Sequence, residues 1–230
     1  MKWKTLRLAF VHTIPVLTGY LFLGAAFGIL LADNGYHFGW ALLMSLLIYA
    51  GAMQFVTVGL LSAGVSFWVA VLMTLMINAR HLFYGLSMLD KYRNMGKKKP
   101  YMIFSLTDET FSLICSANVP EGVDKNGFYF FVSLLDHIYW VAGSVIGGLI
   151  GSVLPFNTKG IDFVMTALFV VIFIDQWKSS KDHIPAVAGV CCSLLCLIIF
   201  GADNFILPSM IAILLLLTLL RKPIERRNEE

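Results

Sequence analysis

The sequence predicts an all-α polytopic membrane protein, and three observations carry that reading. Of its 230 residues, 58% are hydrophobic and 13% charged, with a mean hydropathy of +0.79. A soluble domain has roughly 45–50% apolar and about 25% charged residues. Apolar runs such as "LTGYLFLGAAFGILLA" and "IAILLLLTLL" approach the roughly 20 residues that cross a bilayer. The basic residues gather in "KWKTLR", "KYRNMGKKK" and "RKPIERR", each beside an apolar segment. Cytoplasmic loops have that pattern, so the formal net charge of +3 points to a lipid surface and not to nucleic acid.

The elements follow in order. "MKWKTLRLAF" resembles the basic start of a signal peptide and "GAA" at 24–26 resembles a cleavage site, but the apolar run continues to Leu31. It therefore reads as an uncleaved first helix. Apolar segments lie at about 12–32, 39–62, 66–89, 101–117, 128–153, 161–177, 184–200 and 205–220. If all eight crossed from a cytoplasmic N-terminus, "KYRNMGKKK" would fall outside, against the positive-inside rule. The conflict disappears if 39–62 enters and leaves on one side. Its centre, "YAGAMQFVTVG", carries Gly51, Gln54 and Gly59, as a broken or re-entrant element would. With 161–177 also re-entrant, Lys159, Lys178, Lys181 and the arginine-rich tail all fall inside.

The expectation is one integral permease domain over 1–230, with about six transmembrane helices plus two broken segments and both termini cytoplasmic. Eight plain spans are the alternative. "GYLFLGAAFGILL" and "YWVAGSVIGGLIGSVL" share an aromatic start and a glycine rhythm, and "QFVTVGLL" is echoed by "DFVMTALF". These are marks of inverted repeats, over 10–117 and 128–220. The glycines alone would serve equally as helix-packing surface. Cys115, Cys191, Cys192 and Cys196 lie in apolar stretches without a metal-type pair and read as packing residues.

Chemistry concentrates in a few polar positions. "NARHLFYG" places Asn78, Arg80 and His81 about 15 Å before Asp90 at 1.5 Å per residue, too deep for easy snorkelling. An arginine there costs about 2.5–3.5 kcal/mol even on a lenient insertion scale, so it needs a carboxylate, a carbonyl or water. Asp108 and Glu109 in "SLTDETFSL" are the candidate partners, at least one facing the interior as ion-pair partner or proton carrier. Thr107 and Thr110 would back-bond to their own helix. Asp136 beside His137 suits either a proton relay or a helix start at the interface. Asp162 holds the place in "DFVMTALF" that Gln54 holds in "QFVTVGLL". His12, His183 and Asp203 read as rim residues, and Asp175 as an interfacial end. No Walker loop, HExxH or cysteine–histidine set is present, so neither an enzyme nor a cofactor or metal is expected, and energy would come from a gradient.

"YAGAMQFVTVGLL", "NARHLFYG", "LTDETFSL" and "DFVMTALFVV", in this order and spacing, resemble the AzlC/YgaZ family, the large subunit of branched-chain amino acid exporters. The resemblance covers about residues 10 to 220. It implies a bacterial inner-membrane permease for leucine, isoleucine, valine and related amino acids, acting with a small AzlD/YgaH-type hydrophobic subunit. The matching motif positions are Gln54, Asn78, Arg80, His81, Asp108, Glu109 and Asp162. The residues suit a zwitterion independently: Arg80 and broken-helix N-termini for its carboxylate, an acid for its ammonium, and Phe55, Leu60 and Met76 for its side chain. A channel-like pore or a non-transporting scaffold are the competing classes.

Overall fold

The computed structural model describes residues 2–153, 182–201 and 205–220, with isolated positions between 163 and 178. The chain forms two units, residues 1–165 and 166–230. The described residues are helical throughout the regular elements. Among them two helices are long and apolar enough to cross a membrane, and a bent pair, counted as one span, would make a third.

The first unit is built on α1 (Lys2–Asp33) and α8 (Lys125–Val153), which make its largest contact. Thr5 lies by Gly127, Thr13 bonds Tyr139, and the backbone around Gly24 and Gly28 meets Ser144, Gly147 and Gly148. Contacts advance together along both helices, so α1 and α8 run parallel. A methyl group at Gly28 or Gly147 would fall on the facing backbone, which is why these positions hold glycine. The glycine rhythm is thus packing surface. The inverted relation inferred from it does not hold for this pair, since inversion would make the two helices antiparallel.

Between them the chain makes two broken hairpins and one bent helix. A left-handed Gly35 (φ 84°) ends α1. α2 (Phe38–Leu47) then runs inward along α8, from Phe38 beside Gly148 to Ser45 beside His137. The chain turns at Tyr49, and α3 (Gly51–Ala63) runs back along α1, from Gln54 at Trp140 to Ser62, bonded to Asn34. At about 15 and 20 Å, neither helix alone spans a 30 Å hydrocarbon core. The break expected within 39–62 is present, and the element returns to the end of α1 from which it left.

α4 (Phe67–Asn78) and α5 (Arg80–Met88) form a pair bent by 42° at Ala79. This pair leads to the basic end of the unit. There Asn126 donates to the Asn94 carbonyl and Lys98 sits over Phe130. Residues 91–99 and the starts of α1 and α8 therefore share one end.

Segment 101–117, expected as a single crossing, is instead a second hairpin. α6 (Lys99–Phe104), opened by Pro100, runs along α8 from Phe130 to His137. Ser105 ends it by bonding back to the Tyr101 carbonyl. α7 (Asp108–Ser116) then returns, from Thr110 at Asp136 to Ile114, whose carbonyl accepts from Lys91. The sequence concealed this because the interruption, "SLT", contains neither glycine nor proline. A polar N-cap does the work: the Thr107 side chain accepts from the Thr110 N–H. The buried cluster of Met88, Tyr92, Met102, Ile114, Phe128 and Val132 holds this hairpin against α8.

In the second unit, α9 (Ile184–Phe200) and α10 (Ile206–Leu219) pack together. Asp182 accepts from the Ile184 N–H at the start of α9, and Pro185 occupies its first turn. Trp177 stacks on His183, with ring centroids 4.1 Å apart.

Candidate functional site

The tips of the two hairpins meet halfway along α8. Tyr49, at the first tip, lies 4.2 Å from the His137 ring and 6.2 Å from Phe104 at the second. It is buried, with φ 45°, a conformation uncommon for a non-glycine residue and characteristic of functional sites. The tip is braced by Gln54, whose Nε2 donates to Ser45 Oγ at 3.1 Å and whose Oε1 accepts from Trp140 Nε1 at 2.9 Å. Gly51 lets that indole approach, since a Cβ there would lie 3.1 Å from the ring. Gln54 is thus a structural clamp. Its expected counterpart, Asp162, lies outside the described residues, as do Asp175, Asp203 and the side chain of Met76. Phe55, on the same hairpin, packs edge-on against Phe27 of α1.

The charged residues sit at the second tip. Arg80 begins α5 just after the bend, and its Nη1 lies 2.9 Å from Asp108 Oδ2. The two side chains are 32% and 20% exposed, so the pair is half-sheltered and reachable. Arg80 thus has the carboxylate partner expected of it. Asn78 closes α4, its carbonyl meeting His81 Nδ1, and its own Oδ1 has no hydrogen-bond partner among the described residues.

Glu109 takes a partner on another helix. One residue around the helix from Asp108, it accepts from the Tyr20 hydroxyl on α1 at 2.7 Å. Both acids occupy the first turn of α7, where the helix dipole favours negative charge.

Asp136 is fully buried in the middle of α8, far from a helix start. Nor does it form a relay with His137, which turns the other way to Tyr101 and the Ser45 carbonyl. Asp136 Oδ2 instead accepts from Thr110 Oγ1 at 2.8 Å. Thr110 was expected to bond its own helix; its hydroxyl turns outward to this carboxylate instead. Sequence reasoning passed over Tyr20, Tyr49 and Trp140. For Tyr20 a signal existed: a hydroxyl in the middle of "LTGYLFLG", where apolar surroundings demand a partner.

The comparisons with known proteins agree with this frame. Residues 15–154 match the family model described as AzlC protein. The chain belongs to the AzlC family. It is 54% identical to the branched-chain amino acid transport protein AzlC of Bacillus subtilis, over 97% of this chain and 88% of that protein. It is 46% identical to a membrane protein of Helicobacter pylori over 96% of this chain and 97% of the relative. It is also 28% identical to the inner membrane protein YgaZ of Escherichia coli, over 77% of this chain and 78% of that one. No solved structure matches. The chain is accordingly a membrane protein of a transport family, with no enzymatic family indicated.

Proposed function

We propose that this chain is the large subunit of a gradient-driven exporter of branched-chain and related amino acids, acting in the bacterial inner membrane with a small hydrophobic AzlD/YgaH-type subunit. The observation that carries this reading is the Arg80–Asp108 pair, half-sheltered where broken helices meet, in a chain 54% identical to a protein named for branched-chain amino acid transport. An amino acid zwitterion carries the complementary pair of charges. Its carboxylate replaces Asp108 on the planar Arg80 fork, and its ammonium takes Asp108. Each charge keeps a partner throughout, so opening the pair avoids the cost of a lone buried ion. An apolar pocket discriminates one methylene by only about 1–3 kcal/mol, so substrates of similar side-chain size share the site.

The topology that goes with this reading has the basic end cytoplasmic. Residues 39–62 re-enter from outside and 99–116 from inside. Segment 161–177, expected to be re-entrant, lies outside the described residues, and a cytoplasmic C-terminus now requires it to cross, for six crossings in all. Both hairpin tips place non-helical backbone at depth, which is tolerated only where protein or a wet cavity surrounds it, and Tyr49, Ser105, Leu106 and Thr107 are buried accordingly.

The test is leucine counterflow in proteoliposomes, with and without the small subunit. Saturable exchange of leucine and valine, and none of glutamate, is expected. Conductance without saturation or exchange would overturn the carrier reading, and full activity of the chain alone would remove the subunit. Single cysteines at Gly64, Gly96, Glu121 and Asn228 test the topology with an impermeant maleimide. Gly64 should label from outside, and the other three only after permeabilisation. Glu121 labelling from outside would restore 101–117 as a crossing.

A further inference from the structure

Two carboxylates near the site are joined by an unbroken chain of hydroxyl groups. Glu109 Oε2 contacts the Tyr20 hydroxyl at 2.7 Å, and Tyr20 contacts Thr107 Oγ1 at 2.7 Å. Thr107 Oγ1 contacts Thr110 Oγ1 at 3.1 Å, and Thr110 Oγ1 contacts Asp136 Oδ2 at 2.8 Å. The chain crosses three helices, α1, α7 and α8. Its two ends differ in access: Glu109 is half-buried, while Asp136 is fully buried and its Oδ1 has no hydrogen-bond partner among the described residues.

Counting protons decides how this chain is filled. The four contacts run through three hydroxyls, each with a single proton. With both carboxylates ionised, one contact has no hydrogen and sets two oxygens against each other. With both protonated, one hydrogen too many is forced into the chain. One added proton satisfies every contact, and it does so in two ways. With the proton on Glu109, all hydroxyls point toward Asp136; with it on Asp136, all point toward Glu109.

We propose that Glu109 and Asp136 share one proton along this hydroxyl chain, and that it is the proton exchanged during transport. In the transfer, Glu109 gives its proton to the Tyr20 oxygen as Tyr20 gives its own to Thr107. Thr107 then gives to Thr110, and Thr110 to Asp136 Oδ2. Four O–H bonds break and four form, and the negative charge moves from Asp136 to Glu109. Thr107 keeps its cap through both states, because its second lone pair accepts from the Thr110 N–H.

The surrounding titratable groups leave the chain intact. Arg80 and Asp108, beside Glu109, are engaged with each other. His137 faces Tyr101 and Ser45, and Tyr139 bonds Thr13. The Tyr49 ring lies over His137 and its buried hydroxyl faces Tyr20, where it adds a donor beside the chain without entering any of the four contacts. Glu109 stands next to Asp108, so a charge arriving at the Arg80–Asp108 pair acts on the accessible end. The sharing stands on geometry alone, whereas its coupling to transport rests on the reading above.

Two measurements separate these halves. Infrared isotope-difference spectra of the full-length protein in liposomes report the carboxylic C=O band. In a shared arrangement, Glu109→Gln and Asp136→Asn each remove the same single band, because the introduced amide supplies the missing donor. The double variant removes no more. Loss of two separate bands, or of none, would overturn the sharing. Leucine-dependent proton movement is then read with a trapped pH dye for wild type, Tyr20→Phe and Thr110→Val. Loss of that movement with leucine exchange retained is expected. Wild-type proton movement in both variants would overturn the coupling. Absence of leucine exchange in wild type would overturn the transport reading and leave the infrared result standing.

Discussion

The two hairpins solve one backbone problem and end in opposite chemistry. Each brings a helix to the middle of the unit, breaks it, and starts another beside α8. The first tip is uncharged: α3 starts without a side-chain cap, and Gln54 and Trp140 lock the turn through neutral hydrogen bonds. The second is charged: α7 is capped by Thr107, carries two acids in its first turn, and draws in Arg80. A helix N-terminus offers a partial positive charge in both cases. Only at α7 has the chain filled that end with its own carboxylates. The lesson is a division of labour in which one tip supplies shape and the other supplies charge and protons.

If that division holds, the largest effect on transport belongs to the charged tip. Arg80→Ala should lower leucine exchange by about a hundredfold or more, since a sheltered Asp108 left alone loses several kcal/mol of partnership. Arg80→Lys should recover little, because a compact ammonium cannot reproduce the planar fork. Near wild-type exchange by the lysine variant would show that Arg80 acts as a mere point charge.

Next in size is the pairing within that tip. A double-mutant cycle of Arg80→Gln with Asp108→Asn, read by unfolding of membrane-inserted protein, should show coupling of about 0.5–3 kcal/mol. The same cycle with Glu109→Gln should be smaller, because Glu109 bonds Tyr20 instead. Equal coupling to both acids would mean the arginine answers to the acidic turn as a whole.

The uncharged tip should respond in stability before transport. Gln54→Leu strips the acceptor from the buried Trp140 Nε1, a loss of about 1–3 kcal/mol. Thermal denaturation should register it, with the leucine KM little changed. A large rise in KM would place substrate at the first tip and break the comparison.

The smallest effect is expected at Gly51→Ala. The added methyl presses on the Trp140 ring at 3.1 Å, while alanine removes unfolded-chain entropy worth about 0.4–1 kcal/mol. The two terms oppose, and the stability change measured by denaturation should stay within about 1 kcal/mol. A larger loss would mean the indole cannot shift at all.

What the sequence by itself determined was whatever depends on composition and local preference. Apolar run lengths gave a helical membrane protein. Gly51 and Gln54 within "YAGAMQF" marked the first hairpin, and depth alone told that Arg80 requires a partner. Tertiary structure decided everything that depends on direction and neighbours. The same glycines suit parallel or antiparallel helices, so the parallel course of α1 and α8 was open until their side chains were paired. "SLTDET" is read equally as a continuous helix or a capped restart, because a Thr107 cap matters only once the chain turns back. The choice between Asp108 and Glu109 for Arg80 turned on one step of about 100° around α7, fixed by where Tyr20 stands on α1. Asp136 suited a relay with His137 or an interfacial helix start because a sequence shows adjacency along the chain, whereas its hydrogen-bond partner, Thr110, comes from another helix.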